Sequence, residues 1–169
     1  HTVFTSNVSN DDFSGVDTDS HGDGRQSQLH MLLVDVGHGQ LAWRLREDAR
    51  VIILERTNAR DLSTDMIADS PSVITCDVSF IGLETALPAA LALAALGCRL
   101  VALIKPQFEV GKGQVGKGGV VKDPELHEAA IKRIEEFGQT LGLKCLGVTP
   151  SPILGPKGNR EFLIYFANS

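Results

Sequence analysis

Aromatic residues, cysteines and positive charge are all scarce in this sequence, and each scarcity argues against a class of protein. Aromatic residues make up 5% of the 169 residues, and the formal net charge is −5 at pH 7. The chain therefore lacks the overall basic surface of many nucleic-acid-binding proteins, and any RNA contact requires a local basic patch. Cys76, Cys98 and Cys145 lie far apart in apolar segments, with no CxxC pair and no Cys/His cluster. We expect reduced, buried thiols and no metal site.

Long hydrophobic segments are also missing. No apolar run approaches the ~20 residues that a membrane-spanning helix requires. No basic segment precedes an apolar one in the manner of a secretory signal. The sequence therefore predicts no stable membrane insertion and a cytoplasmic location.

The first 28 residues differ in composition from the rest of the chain. They are rich in Ser, Asp, Asn, Gly and Thr and show no sustained hydrophobic period. We interpret residues 1–28 as an irregular or disordered segment, and residues 29–169 as one domain.

From Leu29 onward, short β-branched segments alternate with segments of helical period. The predicted strands cover residues 31–36, 50–54, 72–76, 99–104, 144–148 and 161–166, and the predicted helices cover residues 41–47, 83–96 and 124–141. Alternating strands and helices predict an α/β fold with a mainly parallel sheet and helices on both faces. The last two strands have no helix between them, which predicts an antiparallel C-terminal hairpin at one sheet edge. This arrangement is similar to the Rossmann-like methyltransferase fold.

Three charged residues lie at the ends of predicted strands. Asp77 and Lys105 each follow an apolar strand, and Glu161 opens the last one. Open α/β sheets bind ligands at such an edge. An acid, a lysine and a second acid gathered there are able to accept and donate a proton. Each residue also has an ordinary structural interpretation. Asp77 is a cap for the following segment, Lys105 is a lysine that reaches solvent from a strand end, and Glu161 is a charge on an edge strand.

A short glycine pair follows the first predicted strand, in the segment Asp35-Val36-Gly37-His38-Gly39. Glycines allow a tight turn close to a ligand, and the carboxylate of Asp35 is suited to ribose hydroxyls. The pattern resembles the DxGxG loop of S-adenosylmethionine enzymes, and a simple strand-to-helix turn explains it equally well.

The segment from Gly111 to Gly118 nearly matches a phosphate-binding loop. Gly118 stands where that loop has the Ser or Thr that holds magnesium, which argues against an NTPase. Two interpretations stay open, a basic lid over an anionic substrate and an ordinary solvated loop. In the first, Lys112, Lys117 and Lys122 each meet a phosphate of that substrate.

Several segments together resemble the TlyA (hemolysin A) family of FtsJ-like ribosomal RNA 2′-O-methyltransferases. The match runs from about Leu29 to the C-terminus and rests on DVGHGQLAWRLR, LERTNAR, CDVSFI, KPQFE, VGKGGVVKDP and GPKGNREF. The resemblance implies an S-adenosylmethionine cofactor, a substrate of ribosomal RNA or ribosomal subunits and not DNA, and a Lys-Asp-Lys-Glu catalytic tetrad.

The implied roles fall on specific residues. Three tetrad members fall on Asp77, Lys105 and Glu161, and the first lysine has no counterpart. The cofactor-binding residues implied are Asp35, Gly37, Asn58 and Asp77. Lys157 and Arg160 are expected to steer the RNA backbone, together with Lys112 and Lys117. The family's first strand and its glycine loop have no counterpart in residues 1–28, so we expect weak S-adenosylmethionine binding by the chain as written.

Two other functions stay open at this stage. One is a membrane-active haemolysin, although the helix at 124–141 lacks the strongly basic face of a membrane-lying helix. The other is a non-catalytic RNA-binding module that has lost its cofactor site.

Overall fold

One mixed sheet organises the computed structural model, which describes residues 2–6, 31–39, 41–67 and 69–168, without the side chains of residues 2–6 and 112. Its strands are β1 (Thr2–Ser6), β2 (Met31–Asp35), β3 (Val51–Glu55), β4 (Val73–Asp77), β5 (Arg99–Ile104), β6 (Leu143–Pro150) and β7 (Phe162–Asn168). Across the sheet their order is β3-β2-β1-β4-β5-β7-β6. Strands β2 to β6 run in one direction, whereas β1 and β7 run against it. The predicted mainly parallel sheet with an antiparallel C-terminal hairpin is confirmed.

Strand β1 corrects the prediction for the N-terminal segment. Residues 1–28 were expected to be irregular, yet Thr2–Ser6 form a strand between β2 and β4 and pair antiparallel to both. Thr2, Val3, Phe4 and Thr5 are residue types that favour strands, so the local signal was present but short. The remainder of residues 1–28 lies outside the described part of the chain.

Four α-helices connect or flank the described strands. They are α1 (Trp43–Arg46), α2 (Leu83–Ala92), α3 (Pro106–Glu109) and α4 (Pro124–Thr140). The connections β2–α1–β3 and β4–α2–β5 step outward in opposite directions, so the right-handed crossover rule puts α1 and α2 on opposite faces of the sheet. Within the described ranges, no helix is both long enough and apolar enough to cross a membrane.

The hydrophobic core lies between the sheet and the pair α2 and α4. Strands β4, β5 and β7 alternate buried and more exposed residues, and the buried ones face these helices. The largest fully buried contributors include Leu83, Leu87, Ile104, Ile134, Ile164 and Phe166. Helix α4 approaches the sheet closely at Gly138, because a Cβ there would lie 2.5 Å from Cε1 of Phe166. This packed face therefore supports β4, β5 and β7, whose ends carry the predicted site.

Candidate functional site

The carboxyl ends of the parallel strands bring the charged residues of the sequence prediction to one edge. Asp35 ends β2, Asp77 ends β4, and Lys105 follows the last residue of β5. Strand β7 runs the opposite way, so its first residues lie at the same edge, and Glu161 precedes it. Ligands bind at this edge in open α/β sheets.

Lys105 forms the centre of this site. Its side chain is 10% exposed, and Nζ lies 2.6 Å from Oδ1 of Asp77. Nζ also donates a hydrogen bond to Oγ of Ser79, at 3.0 Å. A buried ammonium requires a charge partner and hydrogen bonds, and these two contacts supply them. The Asp77 side chain is 57% exposed, so the pair spans the border between protein and solvent.

Glu161 lies at the same end of β5, one residue beyond a paired position. Ile104 pairs with Phe162 in the antiparallel register. Lys105, which follows Ile104, therefore lies opposite Glu161, which precedes Phe162. The Glu161 carboxylate is buried, and its Oε1 accepts a hydrogen bond from Nε2 of Gln107 at 3.0 Å. The ion pair of Lys105 is with Asp77, and Glu161 is connected to the Lys105 end of β5 through Gln107.

Gln107 was not identified from the sequence. It lies in α3, the short helix that begins directly after Lys105 with Pro106 at its first position. Because Nε2 faces the Glu161 carboxylate, Oε1 points away from it. Oε1 is buried and has no hydrogen-bond partner among the described residues. An unpaired buried carbonyl is costly, so a donor on a bound substrate would satisfy it.

A cavity of about 540 Å³ adjoins Lys105. One part of its wall carries Lys105, Ser79 and Gln107 with the aromatic rings of Phe80 and Phe108, and the rest is formed by Val115, Gly119, Pro156, Lys157 and Asn159. The ring centroids of Phe80 and Phe108 are 5.3 Å apart. Phe80 is 83% exposed and has a positive φ of 68°. A non-glycine residue in this conformation is strained by about 1–3 kcal/mol, a feature found preferentially at functional sites.

The candidate RNA-contacting residues are divided between this cavity and its surroundings. Lys157 lines the cavity, and Lys117 and Arg160 are exposed on the segments that border it. The side chain of Lys112 lies outside the described part. Of these four basic residues, the structure therefore brings Lys157 to the cavity wall.

The residues predicted to hold the cofactor lie further along the same edge. Asp35 is buried, and its Oδ1 accepts a hydrogen bond from the Gly37 amide at 2.7 Å. Asn58 uses Oδ1 to cap a short 3₁₀ turn at Ala59–Asp61. Glu55, at the end of β3, bonds the Gly39 amide and His38 and also pairs with Arg46. Together these residues can recognise the ribose and adenine parts of a nucleoside.

These residues fit only part of S-adenosylmethionine. In doubly wound folds, the central strand runs towards this edge and continues into a glycine loop and a helix N-terminus that cradle the ligand. Here the central strand β1 runs the other way, with Thr2 opposite both Asp35 and Asp77. The described residues thus include an acid suited to the cofactor ribose. They do not include a glycine loop and helix N-terminus that follow β1 and bind the methionine part of the cofactor.

The cysteines are not among the residues that line the cavity, although Cys76 lies close enough to Asp77 and Lys105 for their charges to affect its pKa. Cys76 and Cys98 are buried and unpaired, and Cys145 is half-buried. Burial raises the pKa of the Cys76 thiol to about 12 and that of Cys98 to about 11. Neither thiol ionises near neutral pH, so both act as core residues.

Glu109, the last residue of α3, joins this helix to α2 next to the site. Its burial leads us to expect that the stability of the protein depends on pH. Its Oε1 accepts a hydrogen bond from the Leu83 amide at the start of α2, while Arg133 contacts its backbone carbonyl. Burial raises the pKa of Glu109 above its ordinary 4.5, although the Leu83 bond and Arg133 oppose the shift, and Glu84 adds to it.

We expect Glu109→Gln to gain in stability relative to the wild type as pH rises from about 4.5 to 8. The raised pKa means that folding favours the protonated carboxyl, so the stability due to this group is lost as pH rises through the folded-state pKa. Glutamine keeps the acceptor and removes the charge. Urea unfolding of both proteins across this pH range measures the difference, and a difference independent of pH would contradict the argument.

Comparison with known proteins agrees with the geometry. The family model of FtsJ-like methyltransferases matches residues 24–168. The chain is 48% identical over 136 residues to the 16S/23S rRNA (cytidine-2′-O)-methyltransferase TlyA of Mycobacterium tuberculosis, covering 80% of this chain and 51% of that protein. It is 42% identical over 134 residues to Hemolysin A of Brachyspira hyodysenteriae, covering 79% of this chain and 56% of that protein.

A solved structure shows the same fold. A protein described as a hemolysin from Streptococcus thermophilus superposes with a TM-score of 0.77 at 40% identity, covering 80% of this chain and 50% of that one. The chain spans about half the length of the curated relatives it matches.

Proposed function

Since the chain belongs to the family of FtsJ-like methyltransferases, we propose that it carries the ribose-methylating site of an rRNA 2′-O-methyltransferase that uses S-adenosylmethionine. The supporting observation is the buried ammonium of Lys105, paired with Asp77 beside a cavity of about 540 Å³. Ribosomal RNA is the proposed substrate because the mycobacterial relative is named for acting on 16S and 23S rRNA. The cytoplasm stays the predicted location.

The chemistry requires a ribose hydroxyl to attack a methyl group and lose its proton. When bound, S-adenosylmethionine would supply a methyl group activated by a sulfonium sulfur, and the sulfur would leave as the neutral thioether of S-adenosylhomocysteine. Lys105 donates a hydrogen bond to the 2′-oxygen, which orients it and stabilises the negative charge that develops there. Asp77, half exposed, accepts the hydroxyl proton and passes it to water. Glu161, held by Gln107, adds a second negative charge at the Lys105 end of β5.

The cavity suits a nucleotide that has left its base stack. Its volume falls within the range of about 300–1,000 Å³ usual for small-molecule sites. Proteins recognise RNA mainly through unstacked nucleotides whose bases lie on aromatic rings. Phe80 and Phe108 offer such rings, Gln107 offers its unpaired amide oxygen, and Lys157 offers a phosphate contact.

Methylation of ribosomal subunits by the protein with radiolabelled S-adenosylmethionine tests the proposal. We expect the label on ribose. It is detected because the phosphodiester bond next to a methylated 2′-oxygen resists alkaline cleavage. Label on a base would refute the proposed reaction. Tight RNA binding without methylation, even at S-adenosylmethionine concentrations high enough to offset weak cofactor binding, would support the non-catalytic RNA-binding alternative.

We expect Phe80→Ala to raise the KM for RNA by about tenfold or more, because stacking of one base on an aromatic ring is worth about 1–3 kcal/mol. The exposed ring contributes little to folding, so the melting temperature should be nearly unchanged. Phe80→Trp should retain the wild-type KM. Leu96→Ala serves as a matched control, since Leu96 is an exposed apolar residue (92% exposed) outside the cavity lining. An unchanged KM in Phe80→Ala would exclude the stacking role.

A further inference from the structure

Asn159 is a polar residue with an unusual position. It is 3% exposed although it lies in a loop, and its carboxamide joins two segments that are distant in sequence. Oδ1 accepts a hydrogen bond from the Val121 amide at 3.1 Å. Nδ2 donates to the carbonyl of Gly119 at 2.9 Å and to that of Pro156 at 3.1 Å. Three good bonds from one buried side chain define a specific geometry.

Both joined segments are closed by their own backbone bonds. In the first, Gly116 N donates to Val120 O, and Gly119 N donates to Gly116 O. In the second, Gly155 N donates to Asn159 O at 2.8 Å, and Gly158 N donates to Gly155 O. We name residues 116–121 the basic loop and residues 155–159 the proline turn. Each is a preformed unit, and the Asn159 side chain fixes one unit against the other.

The two units together form one wall of the cavity. Gly119 of the basic loop and Pro156 and Lys157 of the proline turn all line it. Lys157 has a positive φ of 59°, and its side chain extends towards the basic loop. Its Nζ lies 3.7 Å from the point that a Cβ on Gly119 would occupy. The position of the Lys157 ammonium therefore depends on the contact that Asn159 maintains.

We propose that Asn159 is a positioning residue for RNA binding, holding the basic loop on the proline turn so that Lys157 meets a backbone phosphate of the bound nucleotide. This inference rests on the proposed function. Its action is on substrate binding, because Asn159 stands apart from the contacts among Asp77, Lys105 and Ser79.

Asn159→Asp is the sharpest variant. It keeps an acceptor for the Val121 amide but sets an oxygen against the carbonyls of Gly119 and Pro156. We expect the KM for RNA to rise by about tenfold, with kcat nearly unchanged. The slope of log RNA affinity against log salt concentration should become shallower by about the amount that one phosphate contact contributes, as in Lys157→Ala. The double variant should bind no more weakly than the weaker single variant, because both changes remove the same contact.

Lys144→Ala is the charge control, since Lys144 is exposed near the start of β6, at the opposite edge of the sheet. Its salt slope should equal that of the wild type. Additive effects of Asn159→Asp and Lys157→Ala, or a loss of kcat at unchanged KM, would overturn the positioning role.

Hydrogen exchange on the wild type gives a second test that needs no variant and no RNA. The Val121 amide should be protected although it lies in a loop. Rapid exchange at Val121 would refute the proposed contact even if RNA is methylated. If the Val121 amide is protected but the protein binds no RNA, then the hydrogen bonds of Asn159 are present. That result would refute both the role of Asn159 in RNA binding and the proposed function.

Discussion

Replacing Lys105 with methionine should lower the rate of methyl transfer by about 10²–10⁴-fold, the range usual for removal of a group that assists proton transfer or stabilises developing charge. Methionine fills most of the volume of the lysine stem but cannot donate a hydrogen bond to the 2′-oxygen. The loss should fall on kcat, because the contact strengthens as negative charge develops. Single-turnover methylation of ribosomal subunits measures this step.

The same substitution should leave the protein folded. The Asp77 side chain is 57% exposed, so water solvates the carboxylate once its partner is lost, and no unpaired charge becomes buried. Lys132→Met is the control for loss of a lysine charge, since Lys132 also forms an ion pair, with Glu136, on the exposed side of α4. The control should retain full activity. Activity of Lys105→Met within twofold of the wild type would exclude a role for the ammonium in the reaction.

The fold follows largely from local sequence signals. Strand β5 was predicted at its observed bounds, and helix α4 begins at the expected Asp123 cap, whose side chain accepts from Glu125 N. Helix α2 ends at Ala92, four residues before the predicted end, and Pro88 lies inside it and not in its first turn. A proline at this place removes one hydrogen bond but remains exposed, so the helix continues past it.

The sequence also predicted that Asp77 and Lys105 lie together at one sheet edge, and physical reasons limit how far such a prediction extends. Asp77 and Lys105 meet because parallel neighbours in a sheet end at the same edge. Gln107 and Glu161 are 54 residues apart, and Asn159 and Val121 are 38 apart. Side-chain bonds of this kind depend on how loops pack, and single-sequence periodicity carries no information on that packing.

The direction of β1 bears on the cofactor. The sheet has a place for a strand between β2 and β4, and Thr2–Ser6 occupy it antiparallel to both neighbours. Backbone pairing is satisfied in either direction, but only a parallel strand delivers its carboxyl end to the site edge. The expectation of weak S-adenosylmethionine binding by this chain therefore has a structural reason, and calorimetry measures it directly.

Gly155→Ala should be nearly as damaging as loss of Glu161, although Gly155 has no side chain to contribute. A Cβ there would lie 2.1 Å from Oε1 and 2.4 Å from Cδ of Glu161. The backbone of Gly155, with φ −72° and ψ −176°, is open to alanine, so the penalty comes from this contact alone. The buried carboxylate has to move and release Gln107. We expect a loss of about 1–3 kcal/mol in unfolding free energy, as for other overpacked sites, and a fall in activity of about 10²-fold or more.

A double-mutant cycle isolates this contact. Glu161→Ala removes the atoms that an alanine at 155 would strike, so the double variant should be more stable than the sum of the single effects predicts. Gly113→Ala is the control, because nothing lies within 4 Å of its added Cβ, and it should change stability by less than about 0.5 kcal/mol. If Gly155→Ala destabilises the protein equally with and without the Glu161 carboxylate, then the two residues do not share the close contact on which the geometry of this site depends.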